Sequence, residues 1–244
     1  GHENLTRMSI KFMSKYIHNT ILPQMVNERI TTMTMLAINY IPGNEQVEYD
    51  EVEKEIRAQL DRATAMGWKP THLDSHMGTL FASKEFLERY LKLGIENGIP
   101  VMFPGGHNTM ILKTEKSSGL TLEITTAIGN RLWAAGLPVL DDLHNISYGW
   151  ESPNTKVKMT DKALQAFKTK KYIETIDQLK PGITMVIMHC TWPSEIFAQI
   201  SGSGNTRKGD MLSMMDPVFK NYLKDNNIIL TTWRELKQRR DAIK

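Results

Sequence analysis

The stretch Thr71-His72-Leu73-Asp74-Ser75-His76 brings two imidazoles and a carboxylate within five residues of one another. Side chains alternate across an extended strand, so a strand continuing through this motif puts His72, Asp74 and His76 on one side. Neutral imidazoles beside a carboxylate can bind a divalent cation, orient a water molecule or exchange a proton. The plainer use of His72 and Asp74 is local, as hydrogen-bonding groups that cap the following turn. His107, His144 and His189 sit at or just past apolar stretches at 99–103, 137–140 and 182–189, and the adjacent pair Asp141 and Asp142 lies at the same level. In parallel α/β folds the loops at the carboxyl ends of the strands share one face, so these groups are expected in one composite site.

The elements that would position them alternate between strand and helix. Residues 30–40 alternate apolar side chains with Thr and read as a strand. Asp50 and Glu53 have capping-box spacing; Val52, Ile56, Leu60 and Ala63 then mark one helical face, and Gly67 supplies a stop. A strand at 69–74, a helix at 84–97 between Ser83 and Gly98, and a strand at 99–103 follow. Further along come a helix near 121–135, a strand at 137–140, helix within 160–179 and the strongest strand, 182–189. Asp216-Pro217 opens another helix, since proline at the first helical position needs no amide partner. A last strand at 228–232 leads into helix 233–242. About six β–α units in series predict an α/β protein with a parallel sheet and outer helices. Neither G-x-G-x-x-G nor G-x-x-x-x-G-K-[ST] occurs, which favours a distorted or incomplete (β/α) barrel over a nucleotide-binding open sheet.

Composition narrows the classes. The 244 residues are 41% hydrophobic and 23% charged, an ordinary globular balance, and 30 basic against 27 acidic residues leave a net charge of +3. The densest basic stretch, Lys237 to Arg240, is broken by Gln238, so nucleic-acid binding has no support. No apolar run approaches the roughly 20 residues that span a bilayer. Cys190 is the single cysteine, which excludes an intramolecular disulfide and multi-thiolate zinc sites, points to a reducing compartment such as the cytoplasm, and is expected to be a small buried residue. The chain opens at Gly1 without methionine, which leaves room for an excised signal peptide. A stripe of Leu5, Met8, Phe12, Tyr16 and Ile17 on a helix over 4–22 suits core packing, or else the cover of a barrel end or a partner subunit in a homodimer.

Four segments resemble the YdjC-like carbohydrate deacetylase family: Thr-His-Leu-Asp-Ser-His at 71–76, Leu-Asp-Asp-Leu-His at 140–144, Met-His-Cys at 188–190 and Ile-Leu-Thr-Thr-Trp-Arg-Glu-Leu at 229–236. The resemblance covers about residues 45–242. It leaves 1–44 as an N-terminal helix and strand without a clear match and 45–244 as the barrel region of one domain. It implies a (β/α)-barrel-like enzyme that removes N-acetyl groups from sugars such as chitooligosaccharides with one divalent ion, Mg or Zn. By that resemblance His76 corresponds to a metal ligand and His189 to the histidine near the scissile amide. Two family features have no counterpart here: a leading strand that ends in Asp-Asp, and a Gly-x-His-Leu segment with a further ligand. The chain therefore reads as a family member short of its leading βα units, or as a divergent paralogue.

The site expected on this basis has His189 as proton donor, Asp74 and Asp141 as carboxylates that handle the water's proton, and His72, His76 and Asp142 as metal ligands. Asp141 and Asp142 enter as substitutes for the missing pair, although a strand-end Asp is also a common cap. Trp150 and Trp192 can stack on a sugar ring or simply pack. His107 follows Pro104-Gly105-Gly106, a turn that explains both glycines and can present the imidazole to ligand. Ser201 to Gly209 reads as a polar, flexible loop. A silent sugar-binding or assembly paralogue and another metal hydrolase, such as a phosphoesterase, are the alternatives.

Overall fold

The computed structural model describes residues 31–33, 49–114, 119–150, 159–192 and 194–243. The expected helix over 4–22 and most of the strand over 30–40 lie outside them. The chain divides into two compact units, residues 1–101 and 102–244.

In the first unit, β1 (Thr31–Met33) pairs in parallel with β2 (His72–Asp74), Thr32 opposite Leu73. Helix α1 (Tyr49–Ala65) buries Val52, Ile56, Leu60 and Ala63, the stripe that its spacing predicts, and the chain turns away at Gly67 with φ 81°. The expected capping box does not form, since Asp50 lies inside the helix instead of at its N-cap, and both acids pair with cations, several of them on helix α2 (Lys84–Asn97). Asp50 pairs with Arg89 at 3.2 Å, and the Glu53 carboxylate takes Arg57 at 2.7 Å, Lys92 at 2.9 Å and Arg89 at 3.2 Å. Helix α2 starts as expected, with the Ser83 hydroxyl accepting the Phe86 N–H, and ends at left-handed Gly98. The expected strand 99–103 contributes to this unit one parallel bridge, Val101 to Leu73, with the Leu73 N–H donating to the Pro100 carbonyl.

In the second unit, β3 (Asp142–His144) pairs in parallel with β4 (Thr184–Val186), Asp142 opposite Thr184. Both are shorter than the apolar runs suggest, and the expected strand 137–140 is reduced to one parallel bridge between Leu140 and Pro104. Two short helices, α3 (Ile111–Thr114) and α4 (Leu122–Ala134), precede β3, and α5 (Asp161–Ile176) lies between the strands. After β4 come α6 (Glu195–Ile200), α7 (Gly204–Met215), α8 (Pro217–Asp225) and α9 (Trp233–Asp241). Buried Tyr172, Phe219 and Leu223 form a core joined by Trp150, Val186 and Met188.

Three expectations change here. Much of the predicted polar loop 201–209 is the first part of α7, because Gly209 lets that helix lie against α5: a Cβ there would stand 2.8 Å from the Lys168 side chain and 3.1 Å from Leu164. Packing overrides a poor local propensity. The predicted strand 228–232 has no strand partner among the described residues, and its Ile229 and Leu230 are exposed. Cys190 is exposed rather than buried, since β4 ends at Val186 and the chain has left the core by that point.

Gly129 of α4 is pressed against Gly105, where a Cβ on Gly129 would fall 2.3 Å from the Gly105 carbonyl oxygen. Gly129→Ala should therefore lower the urea unfolding free energy by about 1–3 kcal/mol. Gly202→Ala, whose added methyl meets nothing within 4 Å, should stay within about 0.5 kcal/mol of the parent.

Candidate active site

The residues singled out by sequence are divided between the units: His72, Asp74 and His76 in the first, and His107, Asp141, Asp142, His144, Trp150, His189 and Trp192 in the second.

Strand β2 carries His72 and Asp74 but stops short of His76. The chain turns at Ser75, whose hydroxyl accepts the Leu80 N–H at 2.8 Å, and His76 is the first residue of a 3₁₀ turn, His76–Phe81. Alternation along one strand therefore does not place His76. The cap of this turn is Ser75 and neither His72 nor Asp74. His72 is buried with Nδ1 3.1 Å from the Thr71 hydroxyl, and burial pushes its pKa down to about 4, so the ring is neutral near pH 7. Burial raises the Asp74 carboxyl above its ordinary range, an effect that the charge of His76 partly opposes.

In the second unit the two aspartates take up backbone. The Asp141 carboxylate accepts the Ile183 N–H at 2.7 Å and stands against Gly106 and Gly182, where an added Cβ would approach Asp141 side-chain oxygens to 2.6 Å. Asp142, almost fully buried, accepts from the Thr109 hydroxyl at 2.8 Å and from the backbone N–H groups of Met110, Ile111 and Leu143 at 2.9, 3.2 and 2.9 Å. The His107 Nδ1 also faces it at 3.4 Å. These bonds cap α3 and orient His107, whose Nε2 is buried with no hydrogen-bond partner among the described residues. The same Nδ1 accepts the Thr109 N–H at 3.4 Å, which leaves the Nε2 side of the ring for a ligand.

His144 ends β3, buried with its ring 5.4 Å from that of Trp150, and burial lowers its pKa. Trp150 continues into the core, 4.8 Å from the Tyr172 ring, so its indole is largely committed to packing. Trp192 is 71% exposed. His189 lies three residues past β4; its backbone N–H donates to Asp210 at 3.0 Å and its ring meets Tyr148 edge-on at 5.2 Å. The Ser203 hydroxyl and the Arg207 charge hold the Tyr148 phenol below its usual range.

Sequence reading missed Lys168, Asp210 and Tyr148. A signal for the first was present: Leu164, Lys168 and Tyr172 are spaced by four on α5, which places a lysine on a core-facing stripe. Asp210 directly follows the segment, 201–209, that reads as a loop.

Among the described residues, no three His, Cys, Asp or Glu side chains converge where one cation could reach them. Asp142 already has its donors.

The sequence profile of the family described as YdjC-like protein matches residues 4–225. The chain belongs to the YdjC-like family. The match starts well ahead of residue 45, where the resemblance read from the sequence begins. A carbohydrate deacetylase of Brevibacillus brevis is 36% identical over 90 residues, which cover 37% of this chain and 34% of that protein. A carbohydrate deacetylase of Thermoanaerobacter pseudethanolicus is 20% identical over 215 residues, 88% of this chain and 72% of that protein. The YdjC-like chain thus spans about a third of the first relative. A crystal structure from Enterococcus faecalis V583, provisionally named a cellobiose-phosphate cleavage protein, matches with a TM-score of 0.56 over 78% of this chain and 62% of that one. At 18% identity that likeness is one of fold. No helix among the described residues is long and apolar enough to cross a membrane.

Two outcomes test this geometry. Because the folded His72 titrates at about 4 instead of 6.5, the unfolded state takes up that proton first, and stability should fall as pH drops across that window. Buried His144 acts in the same direction, and Asp74, with its raised pKa, in the opposite one. His72→Gln should flatten the fall in thermal midpoint between about pH 7 and pH 5; an unchanged slope would refute a buried neutral ring. Asp142→Asn leaves one oxygen for several donors and should cost roughly 3 kcal/mol, with faster hydrogen exchange at the Met110 and Ile111 amides.

Proposed function

We propose that this YdjC-like chain is a carbohydrate deacetylase that hydrolyses the N-acetyl amide of amino-sugar oligosaccharides on a (β/α)-barrel scaffold. The observation that carries the reading is the family match over residues 4–225, joined by two relatives that bear the name carbohydrate deacetylase. Amide hydrolysis needs an activated water, stabilisation of the tetrahedral oxyanion and a proton for the leaving amine. His189 supplies that proton: its backbone is tied to Asp210 and its ring rests on Tyr148, so the imidazole is held in one place. Trp192 offers an open indole face for a sugar ring. Asp141 and Asp142, engaged by backbone, support the site without joining the chemistry.

A second reading, a silent sugar-binding paralogue, is favoured by one observation: Asp142 is consumed by structural bonds. Acetate release from N-acetylated chitooligosaccharides, measured after chelation and again with added Mg or Zn, separates the two. The deacetylase reading expects release, and His189→Ala should lower kcat/KM by about 100-fold or more. Oligosaccharide binding without release under either condition would select the silent paralogue.

A further inference from the structure

Lys168 of α5 and Asp210 of α7 are both fully buried, with Nζ and Oδ1 2.9 Å apart. A buried ion pair is a poor way to stabilise a fold, because well-packed apolar residues of similar volume do as well or better. Its remaining bonds show what this one holds. The Lys168 ammonium donates to the Ser147 carbonyl at 3.0 Å and to the Thr206 hydroxyl at 2.8 Å. Asp210 accepts the Tyr172 hydroxyl on Oδ1 at 2.8 Å and the His189 N–H on Oδ2 at 3.0 Å. One partner thus grips the chain just past β3 and the other grips it just past β4. The β3 side carries Tyr148, whose ring lies against His189, and the Ser147 hydroxyl donates to the Ile187 carbonyl. Arg207 packs over the outer part of this arrangement, 5.5 Å from the Tyr148 ring.

We propose that the Lys168–Asp210 pair is a positioning unit that sets the backbone and ring of His189 against Tyr148, and so governs the turnover step in which His189 takes part. Neither residue is catalytic, as both act through the backbone at Ser147 and His189. The kinetic part of the proposal rests on the deacetylase reading; the positional part does not.

The decisive variant is the double replacement Lys168→Met with Asp210→Leu, which removes both charges and all their bonds while keeping apolar volume. It is compared with the parent by thermal midpoint, by His189 amide and ring signals in NMR, and by acetate release. Positioning predicts a cooperative fold, loss of the ring-current shift that Tyr148 imposes on His189, and a kcat reduced about tenfold to 100-fold with KM within about twofold. A folded double variant with parental His189 signals and parental kcat overturns the proposal. If the double variant does not fold, Asp210→Asn takes its place. It preserves volume but leaves one oxygen to serve Tyr172 and His189, so hydrogen exchange at the His189 amide should quicken by about tenfold or more; parental protection overturns the proposal. If the parent releases no acetate, the deacetylase reading fails while the NMR and exchange results still decide the positional claim.

Discussion

Strands β1 to β4 are each three residues long, and so short a ladder cannot by itself fix the chain that continues beyond it. Each backbone hydrogen bond contributes only about 0.5–1.5 kcal/mol, whereas a bond to a buried charge is worth about 1.5–3 kcal/mol. Side chains therefore complete what the ladders begin. Tyr90 donates to the Leu73 carbonyl in β2, Asp141 receives the Ile183 N–H ahead of β4, and Asp210 receives the His189 N–H after it. His76, Tyr148 and His189 lie just past these strand ends, where side-chain clamps take over from ladder bonds.

This arrangement divides the ionisable groups by use. Asp141, Asp142 and Asp210 are structural acceptors, spent on amides and hydroxyls. The buried imidazoles are kept neutral: His72 and His144 lose affinity for a proton because the interior cannot solvate their cations. Lys168 and Asp210 keep each other's charge tolerable, and removal of one alone would strand the other, at a cost of about 3–5 kcal/mol. His189 differs, since its backbone is gripped while its ring makes a T-shaped contact with that of Tyr148.

Much of this was legible in the sequence. The helical stripe Val52, Ile56, Leu60 and Ala63, the Ser83 and Asp216 caps and the Gly98 stop all occur where local pattern predicts. So does the parallel sense of the strands, which follows from their alternation with helices. The family was also legible, through the spacing of residues 71–76, 140–144 and 188–190. What misled was pattern without partners. Ile228 to Thr232 is apolar enough for a strand yet has no neighbouring strand among the described residues, and a run of Gly, Ser and charged residues became α7 because Gly209 fits against Lys168 and Leu164.

The sequence alone determined which residue types stand at the strand ends, the helix boundaries set by caps and glycines, and membership of the YdjC-like family. Those follow from local preferences and spacing, which act over a few residues. Only the tertiary structure decided that Asp142 serves the 109–111 backbone, that His76 begins a turn instead of extending a strand, and that Lys168 and Asp210 meet in the core. The physical reason is that a buried polar group must find its partner wherever the fold brings one. For Lys168 and Asp210 that partner lies 42 positions away in the chain, at a distance no local pattern encodes.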